Sequence, residues 1–256
     1  MDEYEHTPVT VEGKRAVVIG GTSGIGESIA LGYAAEGADV VATSRTPEKV
    51  ADTAGKLRER GAATVERPCD VTDPDSLGAL RDATIDALGG VDVLVTSAGA
   101  VSRDRLVDTP EADWERVRDV QLDGVYRAIR TFAPAIDEGS IVVITSITAE
   151  LGIRNLPAYT AAKGGAEALT RAAAAELAPD VRVNALEPGF FLTELNRDTY
   201  AEGTERRRHI DRRAAMGRVG ETEELVGAAV YLASDAASYT TGEVLRVDGG
   251  FTEGAF

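Results

Sequence analysis

The chain has 256 residues, 43% of them hydrophobic and 5% aromatic, and at this length roughly 70–75% of the unfolded surface can be buried in one core without staples. Forty-three acidic residues against 27 basic ones give a net charge of −16, which repels nucleic acid and anionic membrane and excludes both as general partners. The single cysteine, Cys69, excludes an internal disulfide and leaves too few thiols for a zinc cluster, so no metal site is expected.

Residues 1–10 are polar and acidic and are expected to be a flexible tail ahead of a folded domain over 11–256. From there short apolar runs alternate with amphipathic segments. Strand Ala16–Gly20 leads into helix Gly24–Glu36, which Gly37 closes. Strand Asp39–Thr43 precedes helix Pro47–Arg60, and a short strand is expected at Thr64–Glu66. Helix Asp73–Leu88 opens on an Asp73 N-cap with Pro74 behind it. Strand Val91–Thr96, helix Ala112–Arg130, strand Ile141–Ser146, helix Tyr159–Leu177 and strand Val181–Leu186 follow. Helix Glu221–Ala233 and strand Val244–Val247 end the series. Most of the strands are nearly continuous runs of apolar residues, as strands covered on both faces must be. The repeated alternation predicts an α/β fold, a single doubly wound domain with a seven-stranded, mainly parallel sheet and helices on both faces. Ligands of such sheets bind beyond the carboxyl ends of the strands. The polar, arginine-rich stretch 190–218 breaks the alternation and is expected to form a substrate lid.

Chemistry enters at Gly20-Gly21-Thr22-Ser23-Gly24-Ile25-Gly26, set between the first strand and the first helix. Glycines there let the chain turn sharply and let a pyrophosphate approach peptide N–H groups at the helix N-terminus. Further along, Tyr159 and Lys163 lie four residues apart, on one face of a helix, and Ser146 ends a strand thirteen residues before Tyr159. In this order and spacing the sequence resembles the short-chain dehydrogenase/reductase family, over about Val11 to Gly250. The resemblance implies a Rossmann domain, a nicotinamide cofactor and hydride transfer between a carbonyl and an alcohol. Ser146, Tyr159 and Lys163 match the family's Ser…Tyr-x-x-x-Lys signature. Tyr159 would act as general acid/base, its pKa lowered from near 10 by the ammonium and by the oxidised nicotinamide. Ser146 would hold the substrate oxygen. Gln121 stands where the family has a relay asparagine; it either supports the relay or only packs between helices.

Cofactor contacts follow from the same resemblance. Gly20, Thr22, Ser23, Gly24, Ile25 and Gly26 form the phosphate turn. Asp70 and Val71 meet the adenine. Ser97, Ala98 and Gly99 line the cofactor, with Thr96-Ser97 in place of two asparagines, so that any hydrogen bonds of those asparagines pass to hydroxyls or are lost. Pro188, Gly189, Phe191 and Thr193 meet the nicotinamide, and Tyr159 and Lys163 its ribose. Ser44 replaces the acid that binds an NAD ribose and Arg45 follows it, a pair suited to a 2′-phosphate; the expected cofactor is therefore NADP(H), with NAD the weaker alternative.

For the substrate, 3-oxoacyl or other ketone reduction fits an NADP enzyme, while the wording Phe190–Leu195 is also similar to sugar- and gluconate-type dehydrogenases. A non-catalytic NADP-binding regulator is the rival of another class. Arg154 or the lid arginines are candidates for an anionic substrate group, against the plainer reading of a solvated face paired with Glu202 and Glu205. The resemblance also implies a homotetramer or homodimer packed through Ala112–Arg130 and Tyr159–Leu177. The acidic start is no secretory signal and no apolar run reaches the roughly 18 residues of a membrane helix, so a cytoplasmic protein is expected. The excess of acid fits either a high-salt habitat or an ordinary acidic enzyme.

Overall fold

The computed structural model describes residues 6–253, so the first five residues of the expected tail lie outside it; 6–10 have no regular structure and are largely exposed. The strands are β1 (Arg15–Ile19), β2 (Asp39–Thr43), β3 (Val93–Thr96), β4 (Gly139–Ile144), β5 (Val181–Pro188), β6 (Phe191–Leu192), β7 (Gly220–Glu221) and β8 (Val244–Val247). The helices are α1 (Gly24–Ala35), α2 (Pro47–Glu59), α3 (Pro74–Leu88), α4 (Glu111–Arg118), α5 (Gly124–Phe132), α6 (Pro157–Leu177), α7 (Glu205–Arg213) and α8 (Val226–Ala233). Strands pair in the order β2-β1-β3-β4-β5-β8, every neighbour parallel, while β6 and β7 form a separate two-stranded ladder.

Side-chain alternation along the strands divides the core in two. Val18, Val40, Val95 and Val142 face α1 and α8, packing on Ile29, Tyr33, Leu225 and Leu232. Val17, Val41, Leu94 and Val143 face α3, α5 and α6, against Leu77, Leu80, Phe132 and Ala166. Each large apolar side chain so covered contributes roughly 1.5–3 kcal/mol. Tyr33 carries its polar tip into the first layer by donating to the Ala229 carbonyl at 2.8 Å, which ties α1 to α8. The expected caps form: Asp73 accepts from the Asp75 amide, and Gly37 follows α1 with φ +87°, its amide bonded to Ala34 O.

The sheet has six strands among the described residues, not seven, because Thr64–Glu66 forms no ladder. That segment runs beside β2 but meets it only at its ends, where Val40 donates to Ala63 O at 3.1 Å and Cys69 to Ser44 O at 3.0 Å. Between these points Pro68 has no N–H to give, and the Arg67 carbonyl is taken by the Thr43 hydroxyl. The helix expected over Ala112–Arg130 is also interrupted. Residues Asp119–Asp123 form a wider π-turn between α4 and α5, and Arg127 braces it by donating to the Asp119 carboxylate at 2.7 Å. Such turns push one side chain out of helical register; here they set Gln121 inward, 2% exposed.

Candidate active site

The carboxyl ends of β1, β3, β4 and β5 border a cleft of about 620 Å³, located where the strand order reverses. Strand β1 delivers the glycine turn to it. Gly20 has φ +80°, and a Cβ there would stand 2.5 Å from the Ala98 amide nitrogen, so no other residue fits. The Gly20 and Gly21 amides donate to Thr43 O at 2.8 and 3.1 Å, pinning the turn to β2. Ser23 is the N-cap of α1 but makes no side-chain capping bond. The first-turn N–H groups behind it are therefore left for a ligand or water. Thr22, Ser23, Gly24 and Ile25 all line the cleft. Gly26 does not; a Cβ on it would collide with the Gly20 carbonyl, so its part is to let the helix close on the turn.

At the far end of the cleft the Thr22 hydroxyl donates to Ser44 Oγ at 2.7 Å. Arg45 is exposed, its guanidinium only loosely engaged at 4.0 Å from Asp70. Asp70 takes two bonds from Thr72, at 2.9 and 2.8 Å, and lines the cleft with Val71. Lys49, in the first turn of α2, joins the same wall. Sequence reading missed this second cation because a lysine on an exposed helix start carries no motif. Ser97, Ala98 and Gly99 line the middle of the cleft, with the Ser97 amide donating to Ile19 O at 2.7 Å. The Thr96 hydroxyl is buried without a partner.

Strand β4 and helix α6 bring the polar trio together. Ser146 caps the short turn after β4 and accepts from the Thr148 amide at 3.3 Å. Lys163 is 4% exposed, donates from Nζ to the Ile144 carbonyl at 2.6 Å, and lies 5.6 Å from the centre of the Tyr159 ring. All three line the cleft. Burial lowers the Lys163 pKa to about 7. Burial also raises that of the Tyr159 phenol, with the Ser146 hydroxyl and the charge of Arg103 drawing it back down. The lowered phenol pKa expected from the ammonium and the oxidised nicotinamide together concerns the cofactor-loaded site, whereas these values are set by the protein's groups alone. In the protein alone, desolvation of the buried phenol outweighs the groups around its hydroxyl. Gln121 also reaches the cleft, where Nε2 donates to Ala100 O at 2.9 Å and Oε1 is a buried acceptor without a partner.

Pro188, Gly189, Phe191 and Thr193 occupy the wall after β5. Gly189 must be glycine, since a Cβ would stand 2.6 Å from that of Asp248. Thr193 caps a short turn, receiving the Asn196 side chain at its amide at 2.8 Å. The stretch 190–218 has its own small core of Tyr200, Ile210 and Ala214 on Ile147, Val219 and Phe251, and Phe190, Tyr200 and Arg206 reach the cleft from it. The expected pairing of its arginines with Glu202 and Glu205 is not found among the described residues. Arg207 pairs with Asp211 at 2.8 Å, Arg206 lies 5.3 Å over the Phe190 ring and Arg213 4.5 Å over Phe251. Arg154 lies outside the cleft, in a separate surface depression.

One turn beyond Lys163 on α6, Glu167 is buried with Oε1 unpartnered. Burial raises its pKa first, then the Glu187 and Glu150 charges, against Arg171 and Arg246. A carboxyl raised in the folded state confers stability below its usual value of 4.5 and loses it as pH rises through the folded value. Glu167→Gln is therefore expected to raise Tm at neutral pH by roughly 2–4 °C, or about 1 kcal/mol. The gain should vanish in acid, as thermal unfolding followed by circular dichroism would record.

The sequence comparisons agree with this geometry. A family model described as enoyl-(acyl carrier protein) reductase matches residues 20–252. The chain is 37% identical to 3beta-hydroxysteroid dehydrogenase 1 of Eggerthella lenta, covering 94% of this chain and 95% of that one. It is 40% identical to cis-4-hydroxycyclohexanecarboxylate dehydrogenase of Sinomonas cyclohexanicum, covering 93% and 96%. A solved structure of a candidate NAD(P)-dependent gluconate 5-dehydrogenase from Beutenbergia cavernae, with bound NADP, superposes with a TM-score of 0.89 at 39% identity, covering 96% of this chain and 99% of that one. No helix among the described residues is long and apolar enough to cross a membrane. With the glycine turn, the parallel sheet and the Ser146, Tyr159 and Lys163 trio in one cleft, the chain belongs to the short-chain dehydrogenase/reductase family of oxidoreductases.

Proposed function

We infer that the protein is an NADP(H)-dependent oxidoreductase interconverting a ketone and a secondary alcohol, with Tyr159 as general acid/base. The observation that carries this is the convergence of Ser146, Tyr159 and Lys163 on the cleft that the phosphate turn opens. The residues fit a dinucleotide. The uncapped start of α1 suits a pyrophosphate, Asp70 and Val71 an adenine, and Ser97, Ala98, Gly99, Pro188, Gly189, Phe191 and Thr193 the rest. When bound, the nicotinamide supplies or accepts the hydride.

The chain's own groups do the remaining work. The Ser146 hydroxyl orients the substrate oxygen by a hydrogen bond. The Tyr159 hydroxyl carries the proton: it donates to the oxygen when a ketone is reduced and receives the proton when an alcohol is oxidised. The Ile144 carbonyl holds the Lys163 ammonium close beneath the phenol, where it favours the phenolate. Gln121 offers its unpartnered Oε1 to a water leading toward Lys163. The segment 190–218 serves as the lid, and α4, α5 and α6 as the subunit contact of a homotetramer or homodimer. Relatives include hydroxysteroid, galactitol and gluconate dehydrogenases; all three names fit a secondary alcohol, and none is a 3-oxoacyl reductase.

NADP(H) is favoured by Ser44, Arg45 and Lys49, a hydroxyl and two cations on one wall suited to a 2′-phosphate. The expected kcat/KM is at least ~10-fold higher with NADP than with NAD, equivalent to about 1.4 kcal/mol. R45E/K49E should invert that preference. Comparable kcat/KM values for NAD and NADP in the unaltered enzyme would refute the cofactor assignment.

A further inference from the structure

Charge along the cleft runs against charge on the molecule. The net balance is −16, yet the cleft wall carries Arg45, Lys49, Arg103, Lys163 and Arg206 against only Asp70 and Glu194. Two of these cations, Arg45 and Lys49, belong to the ribose end. Two others, Arg103 and Arg206, stand at the substrate end, and no motif or cofactor contact involves them. Their sequence neighbours are neutralised: Arg105 pairs with Asp108 at 3.5 Å and Arg207 with Asp211 at 2.8 Å. Neither Arg103 nor Arg206 has a carboxylate partner among the described residues. Arg206 is half-buried and rests on the Phe190 ring. Its guanidinium is oriented by the ring face and partly shielded from water. The wall near it is apolar, from Ile153, Leu156 and Phe190, with the Tyr200 phenol alongside. Arg103 lines the same cleft as Tyr159 and Tyr200, and its charge draws the pKa of both phenols down.

We propose that Arg103 and Arg206 form an anion clamp, and that the substrate is a secondary alcohol or ketone on an apolar body bearing a carboxylate away from the reacting carbon. This rests on the dehydrogenase reading above and narrows its substrate class. The chemistry follows from the lining. A carboxylate matches guanidinium donors in shape and charge. The carbon body contacts Ile153, Leu156 and Phe190 while the hydroxyl lies at Ser146 and Tyr159. Against the protein's general repulsion of anions, two cations on the wall of one cleft focus the field inward and select for charged substrates. A hydroxy acid is then distinguished from its neutral counterpart by the cost of leaving two guanidinium groups without a partner.

The test uses the NADP-loaded protein and two probes of equal shape, cyclohexanecarboxylate and cyclohexanecarboxamide, with binding measured by calorimetry. The carboxylate is expected to bind at least ~10-fold more tightly than the amide. R103M/R206M should remove that preference while NADP affinity stays unchanged, and R103K/R206K should restore part of it. Because Arg103 is exposed, the single R103M variant serves if the double one does not fold, with a preference reduced several-fold. In turnover, 4-hydroxycyclohexanecarboxylate should surpass its methyl ester in kcat/KM by a similar factor. Equal binding of acid and amide, no binding of the acid at millimolar concentration, or a preference that survives R103M/R206M would each overturn the clamp. Any of these accompanied by intact NADP binding and turnover of neutral alcohols leaves the dehydrogenase reading standing. Failure of NADP itself to bind removes both.

Discussion

Tyr159→Phe is expected to lower kcat by about 10²–10⁴-fold, the range spanned by a positioned general acid/base, while NADP affinity changes little. The ring, its place on α6 and its distance from Lys163 are kept; only the hydroxyl is lost. That hydroxyl sits in a desolvated pocket where burial favours its neutral form, so at neutral pH it is a ready proton donor to a forming alkoxide. Running in reverse, alcohol oxidation needs the phenolate and must accelerate as pH rises. The unaltered enzyme should therefore show oxidation rates climbing with pH, and Tyr159→Phe a residual rate without that climb. Steady-state assays following nicotinamide absorbance measure both. A variant that keeps more than a few per cent of turnover would remove Tyr159 from the chemistry.

Lys163→Met is expected to abolish turnover and yet stabilise the fold. A lysine whose pKa drops from 10.5 to about 7 on burial binds its proton more weakly in the folded state than in the unfolded one. Between those two values the unfolded chain holds more protons, so stability rises with pH across that window. Below about 7 the buried charge costs its full amount, roughly 5 kcal/mol for such a shift. Removing the lysine relieves this cost but orphans the Ile144 carbonyl, which now accepts at 2.6 Å and costs about 1–3 kcal/mol unpaired. The net gain near neutral pH is about 2–4 kcal/mol, or on the order of 5–10 °C in Tm, and it falls with rising pH to a loss of about 1–3 kcal/mol near 10.5, where only the orphaned carbonyl counts. Calorimetric melts of both proteins over that range decide it; a variant less stable at neutral pH would contradict the strain assigned to Lys163. Activity and stability are opposed here because the catalytic ammonium is held in a largely buried position.

The fold was readable where burial on both faces forces a continuous apolar run, as in Asp39–Thr43, and the bounds of the partly buried edge strand Val244–Val247 also match the structure. It was misread at Thr64–Glu66, where local apolar content promised a strand that Pro68 and the competing Thr43 hydroxyl prevent. Helical periodicity showed the long helix but not its π-turn at Asp119–Asp123, since one extra residue per turn leaves the pattern on either side intact. In the site, residues set by backbone geometry or by fixed spacing were legible: Gly20, Gly24, Tyr159 and Lys163. Lys49, Arg103 and Tyr200 were not singled out, and Arg206 only as one of the lid arginines, because they reach the cleft from loops and helix starts whose approach depends on tertiary folding. Gly26 misled in the opposite direction. It belongs to the motif, yet it supports the turn from behind rather than lining the cleft.

Direct titration of the Tyr159 phenol by ultraviolet difference spectroscopy, with and without saturating NADP⁺, tests the proton-transfer assignment without any substrate. One tyrosine should ionise well below its cofactor-free value when the positively charged nicotinamide joins Lys163 beside it, and that transition should be missing in Tyr159→Phe. An ionisation profile that NADP⁺ leaves unmoved, or one that Tyr159→Phe retains, would show that the phenol is not the group the cofactor primes.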